Sequence, residues 1–108
     1  MSNKDMVIRY LEAFCAGDID AIGRLLAPEL SFRGPFHNYD SARAYLDGLR
    51  ADPPEAAAYD LLSLTADVDN VAVFYTYRKG DSARDLAQLF RFRNGKILEI
   101  LLIFDGRT

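Results

Sequence analysis

The sequence lacks the features that would tie it to secretion or to a membrane. It contains one cysteine, Cys15, so no disulfide can form within the chain, and such a sequence fits a reducing compartment. No stretch approaches the run of about 18 apolar residues that a membrane helix requires, and the N-terminus lacks the apolar core of a signal peptide. We therefore expect a cytoplasmic protein with no membrane partner.

Charge of either sign is scattered rather than concentrated. The 13 lysines and arginines and the 16 aspartates and glutamates give a net charge of −3, and neither sign forms a block. Binding to nucleic acid needs clustered basic residues that displace phosphate counterions. We therefore exclude nucleic acid as a partner.

Residues for metal or cofactor chemistry are equally sparse. His37 is the only histidine, and no spacing of His or Cys typical of a metal site occurs. No glycine-rich phosphate loop and no Ser-His-Asp set can be assembled. We expect neither a metal nor a cofactor.

A helical hairpin near the N-terminus is the clearest positive feature. Apolar residues recur at three- and four-residue spacing from Asn3 to Ala16, which predicts a helix with one buried face. Gly17 is the expected left-handed residue at its end, and Asp18 can cap a second helix that continues to about Leu26. At 108 residues the chain is long enough for one core, and we expect a single domain over residues 1–108.

A third helix and a set of strands follow. Asp40 or Ser41 can cap the third helix, after a first short strand from Glu29 to Arg33. Beyond Pro54, β-branched and aromatic residues alternate with polar ones in four further segments, which predicts hairpin-connected strands. These segments are Tyr59 to Asp67, Val71 to Lys79, Leu86 to Arg93 and Ile97 to Phe104. The sequence therefore predicts an α+β domain, with three helices on one face of an antiparallel sheet.

The last strand is apolar on both faces. Strict alternation places Leu98, Ile100, Leu102 and Phe104 on one face, and Ile97, Leu101 and Ile103 on the other with Glu99. A strand of this kind has to be covered twice, and the helices can cover one face only. We therefore predict a homodimer through the sheet.

Three segments resemble the nuclear transport factor 2-like superfamily, which has a cone-shaped α+β fold with a curved sheet, also called cystatin-like. Y-L-E-A-F-C-A-G-D-I-D-A-I is similar to its helix–Gly-Asp–helix opening, P-E-L-S-F-R-G-P-F to its first strand and loop, and R-F-R-N-G-K-I-L-E-I to its closing hairpin. SnoaL-like polyketide cyclases and ketosteroid isomerases share this fold. The resemblance implies a small-molecule pocket between the helices, which pack on the concave face, and the sheet. It does not imply one reaction, because members include enzymes, binding modules and dimerisation domains.

The resemblance to ketosteroid isomerases can be followed residue by residue. Tyr10 matches the tyrosine of the first helix that donates to a developing oxyanion, and Gln88 stands where the second donor, a protonated aspartate, is found. Gly34 stands where those enzymes have the aspartate that acts as the base. In the cyclase branch the active aspartate corresponds to Leu102, and no match to the Asp–Arg–Asp set of limonene epoxide hydrolases is found. The usual catalytic carboxylates are therefore missing.

The remaining expectations concern the pocket. We predict polar contacts, and candidate catalytic roles, for Tyr10, His37 and Gln88, with His37 as acid or base and the other two holding an oxyanion. The alternatives are an exposed loop histidine and a core tyrosine. The predicted apolar walls are Phe14, Phe32, Phe74, Phe90, Ile100 and Phe104. Three functions remain open: a domain that binds a small apolar molecule, an isomerase or cyclase acting on a carbonyl-containing or polycyclic substrate, and a dimerisation module whose cavity is filled by its own side chains.

Overall fold

The computed structural model of the chain describes residues 1–105, in which three helices pack on a curved sheet of six strands. The helices are α1 (Asn3–Ala16), α2 (Ile19–Gly23) and α3 (Ala42–Ala51). The strands are β1 (Leu26–Arg33), β2 (Asn38–Tyr39), β3 (Ala58–Ala66), β4 (Asn70–Lys79), β5 (Ser82–Arg93) and β6 (Lys96–Ile103). The predicted α+β class and the three helices are confirmed.

The corner between α1 and α2 forms as the sequence predicts. The side chain of Ser2 accepts a hydrogen bond from the backbone of Asp5, and the Asp5 carboxylate accepts one from the backbone of Ser2, which caps the start of α1. Gly17 ends α1 at φ 71°, a conformation in which a side chain is strained. The Asp18 carboxylate then accepts from the Ala21 N–H at 3.1 Å and begins α2.

The sheet has the strand order β2-β1-β6-β5-β4-β3 and is mixed. β3, β4, β5 and β6 form the predicted antiparallel hairpins, but β1 lies parallel to β6. The expectation of a wholly antiparallel sheet is therefore wrong at this one pairing. β1 and β6 come from opposite halves of the chain, and no hairpin joins them, so their relative direction is not fixed by a turn.

The start of β1 shows a second departure from the prediction. α2 ends at Gly23, so residues expected to be helical, including Leu26, belong to β1 instead. Leu26 pairs with Ile97, and regular pairing with β6 resumes only at Ser31. Pro28 lies in this irregular stretch and is exposed, so its missing N–H costs no hydrogen bond of the ladder.

A bulge in β6 overturns the strict alternation expected there. Phe92 pairs with Ile97 and Arg91 pairs with Glu99, so Leu98 is the extra residue between two regular pairs. As a result Ile97 and Ile100 are both fully buried, although alternation placed them on opposite faces. Beyond the bulge the alternation is regular.

None of the helices within residues 1–105 has the length and apolarity needed to span a membrane.

Candidate functional site

A cavity of about 490 Å³ lies between the helices and the inner face of the sheet. Its walls come from α1, the end of β1, the segment between β1 and α3, α3 itself, the loop after α3, β4, β5, the end of β6 and Phe104 after it. Eight of the lining residues are aromatic: Tyr10, Phe14, Phe32, Tyr39, Tyr45, Tyr75, Tyr77 and Phe104. The cavity is thus open space with largely aromatic walls, and its own side chains do not fill it.

Along β4 and β5 the residues on the inner face of the sheet change from apolar to polar to charged. Directly paired residues on antiparallel strands share a face. From the core outward the pairs are Val71 with Phe90, Val73 with Gln88, Tyr75 with Leu86, Tyr77 with Arg84 and Lys79 with Ser82. The first pair is fully buried, the middle pairs carry uncharged polar groups, and the last two carry cations.

Four uncharged polar side chains meet at the base of the cavity. The hydroxyls of Tyr10 and Tyr45 share a hydrogen bond, and the Tyr75 hydroxyl donates to Oε1 of Gln88 at 2.6 Å. Because Oε1 of Gln88 accepts from Tyr75, the amide N–H groups of Gln88 remain for other partners. We call these four residues the polar base.

Burial keeps the side chains of the polar base uncharged. Tyr10 is 2% exposed, Tyr45 3% and Gln88 5%. Desolvation raises the pKa of Tyr10, Tyr45 and Tyr75 well above the usual range, because a phenolate would lose its hydration there. Gln88 donates toward Tyr10 and opposes part of this rise in the Tyr10 pKa. At physiological pH the polar base therefore offers hydrogen bonds but no charge.

Rings around the polar base hold it in place. The ring of Tyr45 stacks on Phe32 with centroids 4.7 Å apart and an interplanar angle of 16°. Tyr10 meets the edge of Phe90 at 5.1 Å, and Phe90 is fully buried beneath it. Packing thus fixes the two tyrosine rings and directs their hydroxyls toward each other.

The structure brings six of the nine predicted site residues to the cavity. Tyr10, Gln88 and the apolar residues Phe14, Phe32 and Phe104 line its walls, and His37 lines its rim. His37 is exposed, and its ring lies 5.9 Å from that of Tyr39. It stands at the opening, whereas Tyr10 and Gln88 are buried at the base.

The other three predicted wall residues lie elsewhere. Phe74 is 51% exposed on the outer face of the sheet, because it alternates with Val73 and Tyr75, which face inward. Phe90 and Ile100 do face inward, but they are paired at the closed end of the sheet and are packed within the core. They support the cavity from below and do not line it.

Three residues of the site were missed or underrated by sequence reasoning. Tyr45 reads as a packing residue of α3, and Tyr75 as one more aromatic residue of a strand, yet both belong to the polar base. Arg84 reads as a surface residue. The predicted strand began at Leu86, whereas β5 begins at Ser82, and only this longer strand places Arg84 on the same face as Gln88.

Charged residues gather only at the rim. Lys79 and Arg84 line it from the sheet, and the exposed carboxylates of Asp52 and Glu55 line it from the loop after α3. At Gly34, which stands where isomerases have their base, even an added methyl group would lie 3.2 Å from the Phe32 ring. Within residues 1–105, no three His, Cys, Asp or Glu side chains lie close enough together to hold a metal ion.

The profile of a family described as the SnoaL-like domain matches residues 7–100 of the chain. No curated protein matches this chain in sequence.

Solved structures similar to this chain share its fold. An NTF2-like protein of unknown function from Cytophaga hutchinsonii has a TM-score of 0.84 at 17% identity, covering 99% of this chain and 93% of that one. A candidate polyketide cyclase from Sinorhizobium meliloti has a TM-score of 0.72 at 23% identity, covering 92% and 94%. A protein with a ketosteroid isomerase-like fold from Catenulispora acidiphila, in complex with trimethylamine, has a TM-score of 0.76 at 17% identity, covering 94% and 86%.

Proposed function

Because the chain belongs to the SnoaL-like domain family, we propose that residues 1–108 form one such domain and that its cavity binds a small, mostly apolar molecule carrying one carbonyl or hydroxyl group. The polar base is the observation that carries this proposal. A cavity lined mainly by aromatic side chains, with a few converging polar groups at one end, is the usual form of a small-molecule site.

The chemistry of the polar base favours an uncharged polar group on the ligand. A carbonyl oxygen can accept hydrogen bonds from the Gln88 amide and from the tyrosine hydroxyls, and a hydroxyl can both accept and donate. An ion would give up its hydration for neutral partners only, at a cost of several kcal/mol. The polar base therefore selects for a neutral group at the buried end of the ligand.

The walls favour a flat apolar body. Phe14 and Tyr77 meet edge to face with their ring centroids 6.2 Å apart. Phe104, just after β6, also lines the cavity. Aromatic ligands gain contact area and favourable ring geometry against such walls. The complex of the Catenulispora acidiphila protein with trimethylamine supports the use of this fold for holding a small molecule.

We favour binding over turnover. A carbon-acid reaction requires a base near the buried polar group of the substrate, and the carboxylates that line the cavity within residues 1–105, Asp52 and Glu55, are exposed at the rim. His37 is likewise exposed at the opening, and we therefore propose no role for it as an acid or a base. The open cavity argues against a module filled by its own side chains.

We also propose that the domain works as a homodimer in the cytoplasm, with the outer face of the sheet as the interface. Rows of paired residues place apolar side chains together there, flanked by the polar pairs Thr76–Asp85 and Arg91–Glu99. The apolar rows are Ala72, Leu89 and Leu101, and Phe74, Ala87 and Ile103. A partly exposed apolar patch with a polar border is typical of protein interfaces.

A ligand screen with matched variants tests the binding proposal. Thermal-shift measurement of aryl ketones and aryl alcohols should find binders whose affinity falls about tenfold in Tyr10→Phe and in Gln88→Leu. Tyr59→Phe is the control, because Tyr59 does not line the cavity. Equal affinity in all three variants would overturn the assignment of the polar base.

A further inference from the structure

Arg84 differs from the other arginines in the described part of the chain. Of the nine within residues 1–105 it is the one that is not exposed. It pairs with Tyr77 across β4 and β5 and therefore lies on the inner face, whereas its neighbour in the same hairpin, Arg78, lies on the outer face. The fold thus turns one guanidinium group toward the cavity.

Packing fixes the position of this guanidinium. Its Cζ lies 5.0 Å from the centroid of the Phe104 ring, and both side chains line the cavity. A guanidinium held over an aromatic ring keeps its N–H groups in its own plane, where they can bind a planar anion with two oxygens. Phe104 therefore holds the Arg84 guanidinium in position at the cavity.

No carboxylate within residues 1–105 forms an ion pair with Arg84. Arg78 shows the contrast, since its Nε donates to the Asp60 carboxylate at 2.7 Å. A partly buried cation without a protein counterion is costly unless a ligand supplies the charge. The side chain is thus partly buried and placed at the cavity without a counterion from the described residues.

The rest of the rim favours an anion on the same side. Lys79 lines the cavity on the next inner-face pair outward from Arg84. Asp52 and Glu55 line the loop side, where they repel an anion and leave the sheet side as its place. His37 and Tyr39 line the cavity from the segment after β1.

We propose that Arg84, assisted by Lys79, binds the carboxylate of an amphipathic ligand whose uncharged polar end reaches the polar base. The ligand class is an apolar acid with a carbonyl or hydroxyl group at its far end. This inference rests on the proposed function and adds the second anchor of the ligand. A carboxylate matches the edge of one guanidinium with two parallel hydrogen bonds.

The strand also fixes the length of the ligand. Arg84 and Gln88 are four residues apart on β5, so their Cα atoms are separated by about 13 Å at about 3.3 Å per residue. Both side chains reach toward the ligand, so its two polar groups should be somewhat closer together than this. A phenyl ring with an acetyl group at one end and a three-carbon chain to a carboxylate at the other has suitable dimensions.

The probes are para-acetylphenylbutanoic acid, its methyl ester, and para-ethylphenylbutanoic acid, with affinity measured by calorimetry. The acid should bind about tenfold more tightly than the ester, because the ester cannot form charge-assisted hydrogen bonds. Arg84→Gln should remove this preference and leave binding of the ester unchanged, and Arg84→Lys should restore part of it. Arg78→Gln, on the outer face, should behave as the wild type.

The outcomes separate the two proposals. Equal binding of acid and ester by the wild type, or equal loss of both in Arg84→Gln, would overturn the role of Arg84 while leaving the cavity as a binding site. Equal binding of the acetyl and ethyl acids would overturn the polar base and leave Arg84 standing. Failure of all three probes to bind would overturn both.

Discussion

The Tyr75 hydroxyl donates to Oε1 of Gln88 between two neighbouring strands, at 2.6 Å and out of contact with bulk water. This hydrogen bond decides which way the Gln88 amide faces. It satisfies the carbonyl oxygen on one side and leaves the N–H groups for Tyr10 and for a ligand. The orientation of one amide therefore links the packing of the sheet to the chemistry of the cavity.

Gln88→Leu should destabilise the fold. The substitution leaves the buried Tyr75 hydroxyl without its acceptor, at a cost of about 1–3 kcal/mol in the free energy of unfolding. The double variant Tyr75→Phe with Gln88→Leu removes both partners and should recover part of this loss. Urea unfolding of the four proteins of this cycle gives the coupling free energy directly. Additive effects of the two substitutions would show that the hydrogen bond contributes nothing.

Stability should fall steeply at alkaline pH. In the folded protein the pKa of Tyr10, Tyr45 and Tyr75 is raised by burial above the value of about 10 that applies in the unfolded chain. The stabilisation is fully present below pH 10 and is lost as the pH rises above it, by up to about 1.4 kcal/mol per pH unit for each tyrosine.

The check is the free energy of unfolding from pH 8 to pH 11 together with the ultraviolet absorbance of phenolate. Above pH 10, Tyr75→Phe should reduce the slope of the unfolding free energy against pH by the amount that corresponds to about one proton. A slope identical to that of the wild type would contradict the neutral state assigned to Tyr75.

Gly17→Ala should destabilise the protein more than Gly80→Ala. Both glycines have positive φ, at 71° and 59°, so each substitution carries a backbone cost of about 1–2 kcal/mol. A methyl group at Gly17 would also lie 3.2 Å from the carbonyl oxygen of Pro54, whereas one at Gly80 would contact nothing within 4 Å. Thermal unfolding of the two variants isolates the contribution of the corner. Equal losses would mean that the loop of Pro54 simply moves aside.

Phe74→Lys should convert a dimer into a monomer. Phe74 is 51% exposed in one of the apolar rows on the outer face, and a charge there would be buried in the proposed interface. Val68→Lys is the control, because Val68 is 87% exposed in the turn between β3 and β4, away from those rows. Light scattering after size-exclusion chromatography reports the mass. A monomeric wild type would refute the proposed dimer.

Much of the fold could be predicted because its signals are local. The corner at Gly17 and Asp18 depends on capping chemistry within one turn of helix. Asn94 and Gly95, with φ 53° and 75°, form the turn between the last two predicted strands, and an Asn-Gly pair is itself a strong signal for a hairpin turn. The resemblance to SnoaL-like domains, carried by such local segments, is confirmed, and the solved structures share the predicted fold.

The parts that could not be predicted depend on register between distant segments. The bulge at Leu98 is set by the pairing of β6 with β5, and it decides which apolar residues of β6 face the core. The polar base joins α1, α3, β4 and β5, so no single segment contains its pattern. Phe74 was misplaced for a simpler reason, since alternation along β4 already put it opposite Val73 and Tyr75.

The parallel pairing of β1 with β6 has a consequence for the order in which the molecule is assembled. Leu26 pairs with Ile97 of a strand that begins only at Lys96, and Leu102 and Phe104 complete the wall of the cavity. During synthesis β1 therefore cannot pair with β6, and so join the main sheet, until β6 has been made. Contacts so distant in sequence slow folding, and the edges of β1 and β5 that β6 covers stay exposed until then.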